Sequence, residues 1–233
     1  MNKPKTLEMV KDLLQPYPTI KYLDTTYILD KEYASLKHKL DILRNKNEPG
    51  SNVRNLIEEI TTIEMVEATR KFKLEECEIE TPVSPAIAHR IAGKKLVLAP
   101  IMRAGLAMEP AAKRFWPKAR TGHIGFYRNE VTLSPTEYFF KMPNEVEERE
   151  VFILDPMLAT GGSINAAINK LKEIGVGSIQ VVSIFAAPQG IDLLQKNHPD
   201  VNLYIGAVDL GLNEKGYIVP GMGDAGDRIF GTF

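Results

Sequence analysis

This sequence has little cysteine, almost no net charge and no long hydrophobic runs. Its single cysteine, Cys77, excludes an intrachain disulfide and any zinc site built from several cysteines, and it is typical of a reducing compartment. Lysine and arginine total 29 against 30 aspartates and glutamates, a formal net charge of -1. This balance argues against a protein that coats nucleic acid, because such binding needs an excess of cations.

Signals for secretion and membrane insertion are missing as well. The first residues interleave Lys, Glu and Asp and so do not form the apolar core of a signal peptide. The longest apolar runs, such as 181–187, are far shorter than the ~20 residues that cross a bilayer. We therefore expect a cytoplasmic protein that binds neither a membrane nor nucleic acid.

The hydrophobic pattern predicts one α/β domain at 35–233, preceded by an N-terminal extension at 1–34. Leu36, Leu40 and Leu43 recur at helical spacing, and after a turn at 48–50 an apolar stripe predicts a second helix that Ser51 or Asn52 caps. β-prone runs then alternate with helical patterns. The runs are 77–81, 96–101, 121–127, 151–154, 179–185 and 203–208, and the helical patterns are 106–115, 164–174 and 191–196. This alternation predicts a mainly parallel, twisted sheet flanked by helices.

A further segment, 128–142, has the pattern of an extended hairpin that turns at Ser134-Pro135. Its aromatic residues at 138–140 are expected to be exposed and to pack on a second subunit. The alternative is a hairpin that folds over its own sheet.

The segment 151–163 places an acid and a glycine-rich loop between a buried strand and a helix. Gly161 and Gly162 let the backbone approach a ligand, and the amides at the helix N-terminus favour an anion. Thr160 and Ser163 add hydroxyl donors, and Asp155 can accept hydrogen bonds from ribose hydroxyls. A purely structural turn with a serine cap is the alternative. The Lys-Ser/Thr of a Walker A loop is missing, which disfavours a nucleotide kinase.

Near the C-terminus, residues 216–228 contain four glycines and Pro220, a composition that excludes a regular helix. The segment is either a flexible surface loop or an ordered hood whose backbone contacts a small planar molecule. Apolar residues on both sides favour the ordered hood.

The residues Asp155-Pro-Met-Leu-Ala-Thr-Gly-Gly-Ser163 resemble the phosphoribosyl diphosphate (PRPP) loop of the uracil phosphoribosyltransferases. The resemblance covers about 36–233 and includes Ala99-Pro-Ile-Met-Arg-Ala-Gly-Leu106 and the glycine-rich motif at 216–232. It implies a type I phosphoribosyltransferase-like fold with a C-terminal base-binding hood and a β-hairpin arm. It also implies transfer of the 5-phosphoribosyl group of PRPP to N1 of uracil, which yields UMP and pyrophosphate through an oxocarbenium-like transition state.

The resemblance assigns the site residues. Those expected to bind PRPP are Arg103, Arg128, Asp155, Pro156, Met157, Leu158, Ala159, Thr160, Gly161, Gly162, Ser163 and Asp224. Those expected to contact uracil are Ile218, Gly223, Asp224 and Ala225, and the catalytic residues are Arg103, Asp155 and Asp224. Arginine suits this role because its guanidinium binds phosphate oxygens bidentately and stays charged. Asp227 and Arg228 are expected to pair with each other outside the site.

Magnesium is expected to be carried by PRPP and water, since Pro156 stands where related enzymes place a second acid. GTP activates some members of the family, and we expect a homodimer or homotetramer. Ala107 and Glu109-Pro110 depart from the family pattern, and their effect on the neighbouring loop is open. The alternative function is a regulatory protein that senses PRPP or UMP, with weak or no transferase activity.

Overall fold

The computed structural model describes residues 14, 17–18, 20–93, 96–128 and 135–232, without the side chains of 127, 128 and 135. The strands are β1 (Thr26–Ile28), β2 (Leu74–Glu80), β3 (Pro85–Ile91), β4 (Val97–Met102), β5 (Arg120–Thr121), β6 (His123–Arg128), β7 (Pro135–Lys141), β8 (Glu150–Leu154), β9 (Met157–Leu158), β10 (Ser178–Ala186), β11 (Asn202–Val208), β12 (Gly211–Leu212) and β13 (Ile218–Val219). The helices are α1 (Ala34–Arg44), α2 (Gly50–Thr69), α3 (Glu109–Phe115), α4 (Gly162–Glu173), α5 (Pro188–Asn197) and α6 (Ala225–Phe230), with 3-10 turns at Ala104–Ala107 and Val146–Glu148.

One mainly parallel sheet with strand order β1-β11-β10-β8-β4-β6-β7 forms the centre of the fold. Every pair along this order is parallel except β6 and β7, and the short strands β5 and β9 pair with β4 and β10. Helices α1 and α2 pack on one face, and α4 and α5 pack on the other. This arrangement buries β8 and β10 on both faces and confirms the fold class predicted from the strand–helix alternation.

The β-prone run at 77–81 was wrongly placed in the parallel sheet. It belongs to β2, which, among the described strands, pairs with β3 alone in a separate antiparallel hairpin whose residues are mostly exposed. Glu76, Glu78 and Glu80 alternate along β2 and so lie on one face, which a helix cannot cover at low cost, whereas a strand inside the parallel sheet is covered on both faces. We call this element the β2–β3 hairpin.

The second expected hairpin differs in its boundaries. Its first strand is β6, so β7 forms one edge of the main sheet, and the turn at Ser134 lies outside the described residues. Tyr138 and Phe139 are exposed as expected, but Phe140 packs partly against the core.

Helix α2 begins at Gly50 after Pro49, and neither Ser51 nor Asn52 is its N-cap. Pro49 has φ near -65°, the value that its ring imposes in any case. Asn52 instead donates its side-chain amide to the carboxylate of Glu48.

The residues before α1 join the sheet. Strand β1 pairs in parallel with β11, with Thr26 opposite Leu203, and Gln195 of α5 accepts hydrogen bonds from Leu23 N and Thr26 Oγ1, each at 3.0 Å. The domain boundary at residue 34 stays a prediction. None of the described helices is long and apolar enough to cross a membrane.

A fully buried acid, Glu64, lies where α2 packs against β11. Its Oε1 faces Gly206, where a Cβ would approach it to 3.1 Å. Within the described chain, neither carboxyl oxygen makes a hydrogen bond of good geometry. Desolvation raises the pKa of Glu64 well above its ordinary 4.5, and the nearby backbone of Gly206 lowers it only in part.

We expect the Glu64→Met variant to be more stable than the wild type at pH 8, by about 1–3 kcal/mol, because it removes an unpaired buried polar group. The folded state binds the Glu64 proton more tightly than the unfolded state does. Wild-type stability therefore falls as pH rises from about 4.5 through the folded pKa, whereas this contribution is absent in the variant. Urea unfolding of both proteins at pH 5 and pH 8 measures the difference, and an equal difference at the two pH values would contradict the assignment.

Candidate active site

The carboxyl ends of the central strands carry the predicted site residues. Arg103 follows β4 directly and Asp155 follows its neighbour β8, so both lie at the same edge of the sheet. In open parallel sheets this edge is where ligands bind, because loops and helix N-termini meet there.

A cavity of about 250 Å³ opens at this edge between two segments that are far apart in sequence. Asp155, Met157 and Ala159 line one side, together with Ala104 of the turn after β4. The other side consists of Gly216–Ile218 and Gly223–Gly226. The loop after β8 and the glycine-rich segment near the C-terminus therefore meet at one cavity.

A larger hollow of about 730 Å³ lies at the opposite edge of the sheet. Its lining includes Tyr27, Glu150, Ser178 and Asn202, which lie at or near the amino ends of strands. Ligands of parallel sheets bind at the carboxyl ends, so the smaller cavity is the candidate site.

The segment between β8 and α4 is shaped by a hydrogen bond to the Asp155 side chain and by close packing against α5. The N–H of Met157 donates to Asp155 Oδ1 at 3.1 Å, and Gly161 takes a left-handed conformation with φ 81° just before α4. A Cβ on Gly161 would lie 3.0 Å from the carbonyl oxygen of Gly190. Both the positive φ and this close approach therefore favour glycine at this position. Thr160–Ser163 continue from the cavity wall into the N-terminus of α4, which can attract an anion.

Not every side chain of the predicted PRPP loop faces the cavity. Pro156 is buried, and the side chain of Leu158 packs in the core on the α4–α5 face of the sheet. Any contact of Leu158 with a ligand would therefore involve its backbone. Arg128 ends β6, and its side chain lies outside the described part of the structure.

The guanidinium of Arg103 contacts the C-terminal helix. Its Nη2 lies 3.6 Å from Asp227 Oδ1, its Nη1 lies 3.5 Å from Thr232 Oγ1, and the group sits 5.8 Å from the ring centre of Phe230. With 57% of its side chain exposed, Arg103 is held loosely beside the cavity.

The C-terminal segment is an ordered hood. Ile218 pairs with Leu212 of β12, Gly223 has φ 81°, and Asp224 caps α6 by accepting the N–H of Asp227 at 3.0 Å. Together with the buried Ala225, these residues place backbone groups around the cavity. The expectation of a shaped hood rather than a loose loop agrees with this geometry.

The family described as uracil phosphoribosyltransferase matches residues 31–232. The chain belongs to the uracil phosphoribosyltransferase family. A relative of that name from Finegoldia magna is 52% identical over 201 residues, which span 86% of this chain and 96% of the relative. Another from Halalkalibacterium halodurans is 49% identical over 210 residues, or 90% of this chain and all of the relative.

Solved structures share the fold. A protein from Aquifex aeolicus has a TM-score of 0.82 at 34% identity, covering 88% of this chain and 97% of its own. An adenine phosphoribosyl transferase from Trypanosoma brucei has a TM-score of 0.54 at 12% identity, covering 87% and 89%, and shares the fold alone. The family and the type of fold that the sequence motifs predicted are confirmed.

In this member of the uracil phosphoribosyltransferase family, the expected pair between Asp227 and Arg228 is wrong. Arg228 donates instead to the backbone oxygens of Leu43, Met222 and Asn45 at 2.7–3.0 Å. A buried guanidinium needs acceptors for its N–H groups, and two carbonyls at the C-terminus of α1 together with that of Met222 provide them. Asp227 is left to contact Arg103 and to accept a hydrogen bond from Thr232 Oγ1 at 2.6 Å.

Two residues near the hood were missed by sequence reasoning. Arg44 ends α1 and forms a bidentate ion pair with Asp209, which follows β11 directly. An acid immediately after a buried strand is the same signal that identified Asp155, and it could have identified Asp209. Arg44 gives no comparable local signal, because its partner lies 165 residues away.

Desolvation at the edge of the sheet raises the pKa of Asp155 from 3.8 to about 7, and the hydrogen bond from Met157 N lowers it only in part. The carboxyl group is therefore largely protonated at pH 6 and largely ionised at pH 8. Only the ionised form presents both oxygens as acceptors.

We expect kcat/KM for PRPP to rise with pH up to about pH 7 as Asp155 ionises, because this parameter reports the free enzyme's essential groups. The Asp155→Asn variant should lose that dependence and keep only the part that arises from ionisation of PRPP itself. Steady-state rates from ~pH 5.5 to ~pH 8.5 measure both profiles. Identical profiles for the two proteins would exclude Asp155 as the titrating group.

The site fits a magnesium ion that arrives with its substrate. Within the described ranges, no three His, Cys, Asp or Glu side chains cluster as metal ligands do. The cavity does carry the carboxylates of Asp155 and Asp224. Mg²⁺ commonly binds one or two carboxylates together with water and substrate phosphates, and these acids suit that arrangement.

Proposed function

We propose that this protein transfers the 5-phosphoribosyl group of PRPP to N1 of uracil, releasing pyrophosphate and forming UMP. A bond forms between N1 and the ribose C1 while the bond from C1 to the pyrophosphate oxygen breaks, and the N1 proton is lost. The cavity shared by the loop after β8 and the C-terminal hood is the observation that supports this proposal. Relatives named uracil phosphoribosyltransferase at 49–52% identity support the same reaction.

The loop after β8 would hold PRPP. The backbone N–H groups at the start of α4, with the hydroxyls of Thr160 and Ser163, suit a phosphate group. Asp155 in its ionised form would accept hydrogen bonds from the ribose hydroxyls. Arg103, and Arg128 from β6, would bind the pyrophosphate and stabilise the negative charge that grows on it while C1 becomes oxocarbenium-like.

The hood would hold uracil. Backbone groups near Ile218, Gly223 and Ala225 can pair with the acceptor–donor–acceptor edge of the base. Cytosine reverses two of these positions and would leave buried groups unpaired, which gives discrimination on the order of 10⁴. Asp224 lines the shared cavity and would either receive the N1 proton or orient the ribose.

Magnesium, when bound, would be carried mainly by PRPP and would neutralise its pyrophosphate. GTP as an activator remains a prediction of the family resemblance, which adding GTP to the assay below would test.

We also propose that the protein works as a homodimer or homotetramer. Leu74, Ile79 and Ile87 of the β2–β3 hairpin are exposed, and Val83 at its tip is 94% exposed. A two-stranded hairpin is only marginally stable by itself in water, so covering it with a second copy would stabilise it. The near-neutral charge and single cysteine support a cytoplasmic protein without nucleic-acid or membrane partners.

The test is an assay of the purified protein with labelled uracil, PRPP and Mg²⁺, scored for UMP and pyrophosphate. Cytosine and orotate serve as matched controls and should give no nucleotide above background. A protein that forms no UMP and binds neither substrate would refute the proposal. Binding of PRPP or UMP without turnover would instead identify the regulatory alternative.

A further inference from the structure

The ion pair between Arg44 and Asp209 joins the end of α1, the end of β11 and the turn at Gly221 in the hood. Arg44 Nη1 lies 2.8 Å from Asp209 Oδ2, and Nη2 lies 2.6 Å from Oδ1. The Asp209 side chain is 5% exposed and that of Arg44 is 21% exposed, so the pair is largely shielded from water. The guanidinium also stacks 4.1 Å from the ring centre of Phe185 in β10, which fixes its plane.

Both members of the pair also bind the backbone of Gly221. The N–H of Gly221 donates to Asp209 Oδ2 at 2.9 Å, and its carbonyl accepts from Arg44 Nη1 at 3.1 Å. Gly221 has φ 56°, and a Cβ there would lie 2.3 Å from the carbonyl oxygen of Ile218. The pair therefore satisfies both backbone groups of a residue in a tight turn.

That turn separates Ile218 from Gly223, which both line the cavity on the side that we assign to uracil. Neither Arg44 nor Asp209 lines the cavity. A buried ion pair adds little net stability over packed apolar side chains, so stability alone does not explain these charged residues. Their hydrogen bonds to Gly221 fix where the flanking cavity-lining residues lie.

We propose that Arg44 and Asp209 are positioning residues for uracil, which hold the 218–223 turn in the conformation that recognises the base. The proposal rests on the proposed function for its substrate. A turn held in advance loses less conformational freedom on binding, so the pair acts on uracil affinity rather than on PRPP affinity.

The test compares Arg44→Met with Lys39→Met, a control on the same helix that breaks an exposed ion pair to Glu59. For Arg44→Met we expect the KM for uracil to rise roughly 10-fold or more while the KM for PRPP changes less than about twofold, since a misplaced binding group costs affinity where it acts. Arg44→Lys, which keeps the charge without the fork, should recover part of the uracil KM. Lys39→Met should behave as the wild type.

A second readout does not depend on catalysis. Hydrogen–deuterium exchange of Arg44→Met should be faster in 216–226 than in the wild type and unchanged in 155–163. This measurement tests the positioning of the turn even if the wild type forms no UMP, so failure of the proposed function and failure of this inference are distinguishable.

Three results would overturn the inference. One is a wild-type uracil KM with wild-type exchange in Arg44→Met. Another is an equal rise of both KM values with faster exchange in 155–163, as a general loss of stability would produce. If Arg44→Met does not fold, Asp209→Asn takes its place in the test, and the same selective rise in the KM for uracil is expected. The third contradicting result is that neither variant folds, which would mean that the pair stabilises the fold itself.

Discussion

Replacing Arg103 by alanine is expected to lower the kcat of UMP formation roughly 10²-fold or more, because it removes the cation that would stabilise the growing charge of the leaving pyrophosphate. Arg103 lies directly after β4 at the cavity edge, and its contacts with neighbouring side chains are weak. The contact with Asp227 at 3.6 Å is exposed to solvent, and such pairs contribute at most about 1 kcal/mol to stability. The Tm should therefore stay close to that of the wild type while the rate falls.

Steady-state kinetics and thermal unfolding of the same samples measure this prediction. Arg114→Ala is the matched control, since Arg114 is an exposed arginine on α3 whose partner is Glu58, away from the cavity. Arg103→Lys, which keeps the charge but loses the bidentate fork, should give an intermediate rate. A near-wild-type kcat for Arg103→Ala would remove this residue from the mechanism.

The second large effect is expected for Gly105→Ala. A Cβ at Gly105 would lie 2.2 Å from the backbone oxygen of Leu154 and 3.3 Å from Cα of Pro100. These are backbone atoms of β8 and β4, so no side chain can rotate away. Overpacking of this kind costs about 3 kcal/mol. For a chain of this length that loss lowers Tm by roughly 6–12 °C.

Activity should fall as well, more than about 10-fold, because the displaced Leu154 precedes Asp155 and Gly105 follows Arg103 closely in the chain. Differential scanning calorimetry and the UMP assay measure the two effects. Gly177→Ala is the control: no described atom would lie within 4 Å of its Cβ, so its stability should change by less than about 0.5 kcal/mol. Wild-type Tm and activity in Gly105→Ala would show that β8 and β4 can separate here without cost.

The parts of the fold that the sequence predicted well have local signals. Strands β8 and β10 are nearly continuous apolar runs, and an acid with two glycines after β8 indicated the loop at the cavity. Strand β1 has no such signal, because its three half-buried residues are stabilised by pairing with β11, far along the chain. The β2–β3 hairpin was misplaced because a β-prone run does not reveal which strand it pairs with.

The candidate site also combines features that have a local sequence signal with features that depend on long-range contacts. The composition of residues 216–228 predicted an ordered hood, but not what holds it in place. Arg228 was expected to pair with its sequence neighbour, whereas its acceptors on α1 lie more than 180 residues away. Arg44 and Asp209 were missed for the same reason, since long-range pairing leaves little trace in one sequence.

The position of β1 matters for anyone who shortens this chain. Residues 31–232 match the family, yet a protein cut to that range would lack β1 and expose the unpaired backbone of Leu203–Ile205. A bare strand edge of this kind is a template for pairing with other molecules and promotes aggregation. Truncated versions that are meant to stay soluble should therefore retain the segment from residue 20 onward.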